Sequence, residues 1–515
     1  MITCAANLQQ LSVFNYLQFF MYHVIAQPFS LESFTSLEDW FGDLQYLPGA
    51  MLLHSGRSSH ENAQFHIASG FPLLTLELFA SGKVNITAFD VSEYQLNDAA
   101  RERLADVVSE LHSNPMTGPD IFERAQQVQQ ALFADHRTPN NALPFQCGAM
   151  GFAGYDYGRF LEDLPQQAKD EYQTPVFSIS YYGWSLVQNQ QTNECWLCYS
   201  DLYSHPGFTE VTIPSAGKHY FTAAEKSKAE PIEFKLTSDW QSNMSEQEYK
   251  DKLHAIHEYL LSGDCYQVNL AQRFEARYQG CEWQAFQALS EANQAPFSAF
   301  LRTDKSCIVS CSPERFLSVR HGLIETKPIK GTRPRFRDAE QDKASKDALI
   351  NSEKDQSENL MIVDLLRNDI SKNALPHSVN VTGLFEIESF NAVHHLVSTI
   401  QAKLKPASHP FRLLQDAFPG GSITGAPKIR AMEIIDELEP HRRNIYCGSI
   451  FVYGVNGDFD SSICIRTLLF ENQKVFCWAG GGIVADSVDQ AEYEETFHKV
   501  NKILPVLAGF RKCKS

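Results

Sequence analysis

Short runs in which apolar and polar residues alternate set the limits on how this chain can fold. Leu74-Thr75-Leu76-Glu77-Leu78 and Val176-Phe177-Ser178-Ile179-Ser180 are two of several between about residues 35 and 200, and Gly, Pro and Asn break the chain between them. A period of two puts successive side chains on opposite faces of a strand, so each run buries one face and exposes the other. Asp98 to Leu111 and Ile121 to Ala134 instead repeat their apolar residues at helical spacing. Strands interleaved with helices predict an α/β (α+β) fold. The 515 residues, 43% of them apolar, suffice for three average domains or one large composite domain with a substantial core.

Ser245 and Glu248 have the spacing of a capping box, and Tyr249, Leu253, Ile256 and Leu260 form the apolar stripe of the helix it opens. Strands and helices then alternate to a final helix expected from about Val488 to Leu504, stopped by Pro505. The stretch 201–243 mixes Ser, Pro, Gly, Lys and Glu with little periodicity and reads as a surface connection between regions at 35–200 and 244–510. Residues 1–34 read as an atypical N-terminal extension. The first 31 carry no Asp, Glu, Lys or Arg, yet Asn15, Gln18 and His23 interrupt the apolar stretch too often for a bilayer span.

A formal charge of −18 disfavours a nucleic-acid binder, which would present a basic face. The twelve cysteines show no paired framework and no cleavable signal precedes them, which points to a reducing, cytoplasmic setting. Cys195 and Cys198 lie in an alternating, strand-like run without a second pair, a poor pattern for zinc.

Lys330, in Lys327-Pro328-Ile329-Lys330-Gly331-Thr332-Arg333-Pro334-Arg335, stands between a proline-stiffened strand end and a Gly-Thr turn, where a small substrate can be approached closely. A lysine nucleophile and a surface lysine in a basic loop both fit that pattern. Glu358 heads a helical apolar run from Leu360 to Leu366 expected to be buried, and Glu492, Glu495 and Lys499 share one face of the last helix. Arg466 falls in a run apolar enough for a buried strand, where an unpaired guanidinium is costly unless a carboxylate or a structural ion pair satisfies it. Gly480-Gly481-Gly482 reads as a turn able to bring backbone N–H groups to an anion, and no phosphate-loop pattern is present.

The downstream half resembles the chorismate-utilising enzymes through an ordered series. It comprises Gly263 to Arg273, Ser312-Pro313-Glu314-Arg315-Phe316, the Lys330 run, Glu358 to Asp369, Val393 to Thr399, Phe418 to Lys428, Ile465-Arg466-Thr467 and Ala479 to Ser487. Upstream, Met51 to Gly56 and Gly154 to Arg159 match more loosely, so 35–200 is similar to the N-terminal region of the anthranilate-forming members. The resemblance implies two packed β-sheet layers flanked by helices, with chorismate bound between the halves. It implies that Glu358 and Glu495 hold magnesium, that Glu314 is the general acid/base and that Lys330 is a nucleophile. Gly331, Thr332, His395, Ser422, Tyr446, Arg466, Gly480, Gly481, Gly482 and Lys499 match substrate-pocket positions. Arg315 beside Glu314 leaves an ordinary ion pair as the rival reading of that carboxylate.

Within the family, anthranilate-forming members carry alanine where Lys330 stands, and isochorismate- and salicylate-forming members carry lysine where Gln267 stands. The pair Gln267 and Lys330 therefore implies amination at C4 to 4-amino-4-deoxychorismate, the route to 4-aminobenzoate and folate. Anthranilate formation, or a non-catalytic paralogue that binds tryptophan or a partner, are the alternatives. No glutaminase motif is evident, which implies a heterodimer with a separate glutamine amidotransferase subunit. A tryptophan pocket implied near Ser55, Asn62, Ala63, Gln64, Phe65, Pro296, Phe297 and Ser298 departs from the family at that flank, where His66 replaces an acidic residue.

Overall fold

Neighbouring strands from the two halves of the chain pair with one another in both of its sheets. The structure, a computed structural model, describes residues 22–31, 36–47, 49–56, 64–89, 96–133, 136–138, 142–201, 232–390 and 393–511. A 14-stranded sheet and an 11-stranded sheet account for nearly all strands, with helices around them. In the first sheet, Met51–His54 pairs antiparallel with Phe297–Arg302; in the second, Gly148–Ala153 pairs antiparallel with Ser449–Gly454. Each half starts and ends in the first sheet and crosses to the second twice in between. The regions 35–200 and 244–510 thus share both sheets.

Burial explains which alternations were readable. Leu74–Leu78 buries every second residue, whereas Gly148–Ala153 and Phe177–Tyr182 are buried at every position because both faces are covered. The helix Glu246–Ser262 has its capping box from Ser245 and Glu248, buries Tyr249, Leu253 and Ile256, and ends at Gly263, whose φ of 80° favours glycine.

Three expectations change at the ends of the chain. Within the segment read as an extension, Tyr22–Pro28 is a strand that pairs with Cys195–Ser200 and His136–Arg137. Residues 1–21 lie outside the described residues, as do 202–231 of the connecting segment. The end of that segment is bound to the first sheet through Lys235–Leu236 and Gln241–Ser242. The expected last helix is two: Asp489–Lys499, then Leu504–Ala508 with Pro505 in its first turn, where its missing N–H costs nothing. Cys195 and Cys198 lie buried in a strand, and burial pushes both thiols up to about 12. Among the described residues no helix is long and apolar enough to cross a membrane.

Candidate active site

Two crossings between the sheets put charge at their seam. The chain leaves the first sheet at Ser312 and enters the second at Arg315, with Pro313 and Glu314 between; it returns between Ile463 and Thr467, through Arg466. The crossings lie side by side, since the Ile463 N–H donates to the Glu314 carbonyl at 3.1 Å and the Cys311 N–H to the Arg466 carbonyl at 3.0 Å. Arg466 therefore does not sit in a buried strand as its apolar neighbours suggested. Its φ of 51° breaks the alternation. Its guanidinium makes no hydrogen bond or ion pair among the described residues, and burial lowers its pKa against the pull of Cys311 and Glu314.

Glu314 is 8% exposed. Burial pushes its carboxyl up to about 7, against the opposing pull of Lys330, Ser422, Lys499 and Arg466. The adjacent Arg315 does not pair with it. Successive extended residues face opposite ways, and Arg315 instead grips Asp460 through two hydrogen bonds of 3.0 Å.

Lys330 lies inside the strand Ile329–Pro334, not between a strand end and a turn. Its register against Val393–Lys403 is irregular: Lys330 faces Leu396, Thr332 faces His395, and Gly331 is the extra residue of a bulge. Gly331 has φ 77°, and a Cβ there would lie 2.8 Å from the Asp355 carboxyl carbon and 2.9 Å from Leu349. Glycine is thus required twice, for the backbone and for the close approach of the next helices. The bulge leaves the Lys330 ammonium donating to the Ser422 carbonyl at 3.2 Å. Burial lowers the Lys330 pKa, with Glu358, Glu314 and Glu495 pulling the other way and Lys499 helping.

Two helices bring the remaining charges. Glu353–Ser371, capped by Ser352, buries Asn359, Ile362, Val363 and Leu366; Leu360 is 52% exposed, because a helical period turns part of that apolar run to solvent. Asn359 is fixed by the Ser398 hydroxyl at 2.5 Å. Glu358, beside it, makes no hydrogen bond or ion pair among the described residues. Burial raises its pKa although Lys330 and Lys354 oppose this. From Asp489–Lys499, Glu492 accepts from the Ser487 hydroxyl at 2.6 Å, and Lys499 donates to Glu495 at 2.6 Å and to the Gly480 carbonyl at 2.8 Å. Partial burial pushes the half-exposed Glu495 up, yet Lys499, Lys354 and Lys330 hold it below the usual carboxylate range.

Gly480, Gly481 and Gly482 form no turn. They lie in the strand Lys474–Ile483, paired with Ala271, Leu270 and Asn269. Their value is the missing side chain. A Cβ on Gly481 would stand 3.2 Å from Glu492, 3.5 Å from Glu495 and 3.5 Å from the Lys499 ammonium; one on Gly482 would strike the Gln267 amide at 2.2 Å. Gln267 is fully buried and neither amide atom has a hydrogen-bond partner among the described residues. A buried amide left this way faces a ligand or water.

Of the other expected site residues, Ser422 is gathered at the cluster, whereas Thr332 and His395 bond one another at 2.9 Å across the bulge. Tyr446 is buried and stacked on Trp478, 6.1 Å between centroids. Ser55, Gln64, Phe65, Pro296, Phe297 and Ser298 line a separate cavity of about 500 Å³ between the sheets. Asn62 and Ala63 lie outside the described residues. Reading the sequence missed the Gly331 bulge, the burial of Glu492 and the Asp460 partner of Arg315; only the position of Glu492, three before Glu495, signalled any of these.

Among the described residues no three His, Cys, Asp or Glu side chains close into a metal site by themselves. Magnesium asks for less, one or two carboxylates with water and substrate oxygens completing its shell. Glu358 and Glu495 are carboxylates of the kind such an ion takes, and Glu358 is partly desolvated with no hydrogen-bond or ion-pair partner among the described residues.

The family model for chorismate binding enzymes matches residues 81–505. Aminodeoxychorismate synthase component 1 of Escherichia coli (strain K12) is 49% identical over 91% of this chain and 96% of its own length. The protein of the same name from Klebsiella aerogenes is 46% identical over 91% of this chain and 95% of its own. The crystal structure of anthranilate synthase component I from Streptococcus pneumoniae TIGR4 superposes with a TM-score of 0.67 at 28% identity, covering 86% of this chain and 92% of that one.

Proposed function

From the premise that this chain belongs to the chorismate binding enzymes, we propose that it is an aminodeoxychorismate synthase component 1, which converts chorismate and ammonia to 4-amino-4-deoxychorismate and water. The observation that carries the reading is the partly buried Lys330 ammonium, its pKa lowered, held at the Ser422 carbonyl beside a Glu314 carboxyl at about 7.

Neutral Lys330 attacks C2 of chorismate while the C4 hydroxyl departs as water, with its proton from Glu314. The ring double bond shifts as the C2–N bond forms and the C4–O bond breaks. Ammonia then adds at C4 with the reverse shift, expelling the Lys330 amine and giving up a proton. Two displacements at one amine replace a single difficult substitution. Arg466, whose guanidinium has no hydrogen-bond or ion-pair partner among the described residues, binds a substrate carboxylate. Glu358 and Glu495 hold magnesium, which when bound neutralises and orients the other carboxylate. Gln267 cannot take a proton from water, so hydration is not promoted and ammonia is the nucleophile that succeeds.

The name of the relatives implies a partner component; we assign it as a glutamine amidotransferase supplying ammonia, so that the isolated chain uses ammonium salts and not glutamine. The cavity lined by Ser55, Phe65 and Phe297 is where the family resemblance implies a tryptophan pocket, from which this chain departs at His66. Chromatography of the product formed from chorismate, magnesium and ammonium tests the reading. The expected product is 4-amino-4-deoxychorismate; anthranilate, or no turnover, overturns it.

A further inference from the structure

Glu314 stands where two sheets meet; its carboxyl is hydrogen-bonded by the Ser422 side chain, and the main chain around it is held from both sides. Its N–H donates to the Ser312 hydroxyl at 3.2 Å, its carbonyl accepts from Ile463, and the Ser312 hydroxyl donates to the Ile463 carbonyl at 2.6 Å. These bonds fix the main chain before and across from Glu314. What fixes it after Glu314 is Arg315. Arg315 pairs with Ser462, but the register then slips, and the next paired residue is Ser318, opposite Asp460. Asp460 reaches back over that irregularity to take both Nε and Nη2 of Arg315 at 3.0 Å, while the guanidinium lies over the Phe297 ring at 5.2 Å.

Such a pair contributes little stability once desolvation is counted. Its geometry, however, is stiff, because a planar fork on a carboxylate permits one orientation. The arginine lines the cavity, whose wall does not include Glu314, Lys330 or Arg466. We infer that the Arg315–Asp460 pair is a positioning device for the proposed reaction, clamping the sheet crossing from the cavity side so that Glu314 presents its carboxyl to the leaving hydroxyl. The inference rests on the proposed role of Glu314.

The test compares Arg315→Gln, Arg315→Lys, Asp460→Asn and the double variant Arg315→Gln/Asp460→Asn with wild type, and uses Glu314→Gln as control. Melting temperature, kcat, KM for chorismate and the pH–rate profile are measured for each with the full chain, magnesium and ammonium. Both single neutralising variants should lose about tenfold or more in kcat with KM changed less than about twofold, the pattern of a defect confined to the chemical step. The pH limb assigned to Glu314 should move. Arg315→Lys should recover only part of the rate, since an ammonium cannot grip both oxygens. The double variant should be no worse than either single one, as expected of residues acting as a unit. A rate loss that only follows the loss of folded protein, with the pH profile unmoved, overturns the inference, as does wild-type kcat in Asp460→Asn. If Glu314→Gln itself keeps full activity, the role given to Glu314 is what fails.

Discussion

The Lys330 site and the cavity behind it lie on opposite sides of the same seam, and both are lined with charge, but the charges are arranged differently. In the cavity wall the ions are mated: Arg315 with Asp460, Lys327 with Glu388 at 2.5 Å, and Glu325 with the Gln401 amide at 2.8 Å. In the site Lys499 and Glu495 pair at 2.6 Å, but other charges are left over. Glu358 and Arg466 have no partner among the described residues, Gln267 has an unbonded amide, and Lys330 has one carbonyl. Mated charges specify geometry, whereas desolvated charges without mates hold the free energy that a charged substrate or ion can release.

The sharpest way to break this contrast is to remove the amine. Lys330→Ala should lower aminodeoxychorismate formation by about a thousandfold or more while changing KM for chorismate little, since a nucleophile acts in the bond-making step. Lys330→Arg should be equally poor because a guanidinium stays protonated. Intact-protein mass spectrometry with chorismate and magnesium but no ammonia should show a ring adduct on wild type only. Near-normal para product from Lys330→Ala would make Lys330 a bystander.

The pH dependence comes next. Raising pH deprotonates Lys330, which favours attack, and removes the proton of Glu314, which disfavours departure of the hydroxyl. The two requirements give a bell, and Glu314 places one limb near pH 7, across which the rate changes by up to about tenfold per pH unit. Residual activity of Glu314→Gln should lack that limb; a wild-type profile flat from pH 6 to 8 would contradict the assignment.

Removing one of the carboxylates expected to hold magnesium should cost less. Glu358→Gln or Glu495→Gln should raise the half-saturating magnesium concentration, or lower the rate, by at least about tenfold. Magnesium titrations that are unchanged in both would remove them from the metal site. Gly481→Ala should show the same defect at a few-fold, since its Cβ would sit 3.2 Å from Glu492 and that carboxylate can give way. On the mated side, Lys327→Met should leave kcat and KM within about twofold, as expected of an ion pair that only shapes the wall. A tenfold loss there would show that Lys327, like Arg315, acts on the chemical step from the cavity wall.

Much of this was legible from the residues in order. Leu74–Leu78 and the capped helix at Ser245 are local patterns, governed by neighbours two to four positions away, and they formed where expected. Of the residues that the family resemblance singles out, Lys330, Glu314, Glu358, Glu495, Lys499, Ser422 and Arg466 lie within electrostatic or hydrogen-bonding reach of others in the set. The misreadings share one cause. Gly480 to Gly482 suggested a turn and Arg466 a strand, because glycine content and apolar neighbours carry no record of which distant strand or helix lies alongside.

The sequence by itself determined the kinds of element and the chemistry available, which follow from residue type and short spacing, and its resemblance to known sequences supplied the kinship to enzymes that bind chorismate. Tertiary structure alone decided which charges were used up and which were spared. Arg315, one residue from Glu314, went to Asp460, and Lys330 was turned toward Ser422, which is 92 positions away, by a one-residue bulge. Pairing between distant strands fixes which way each side chain faces, and a slip of one residue reverses it, so the reactivity of a charged group depends on a register that no local pattern encodes.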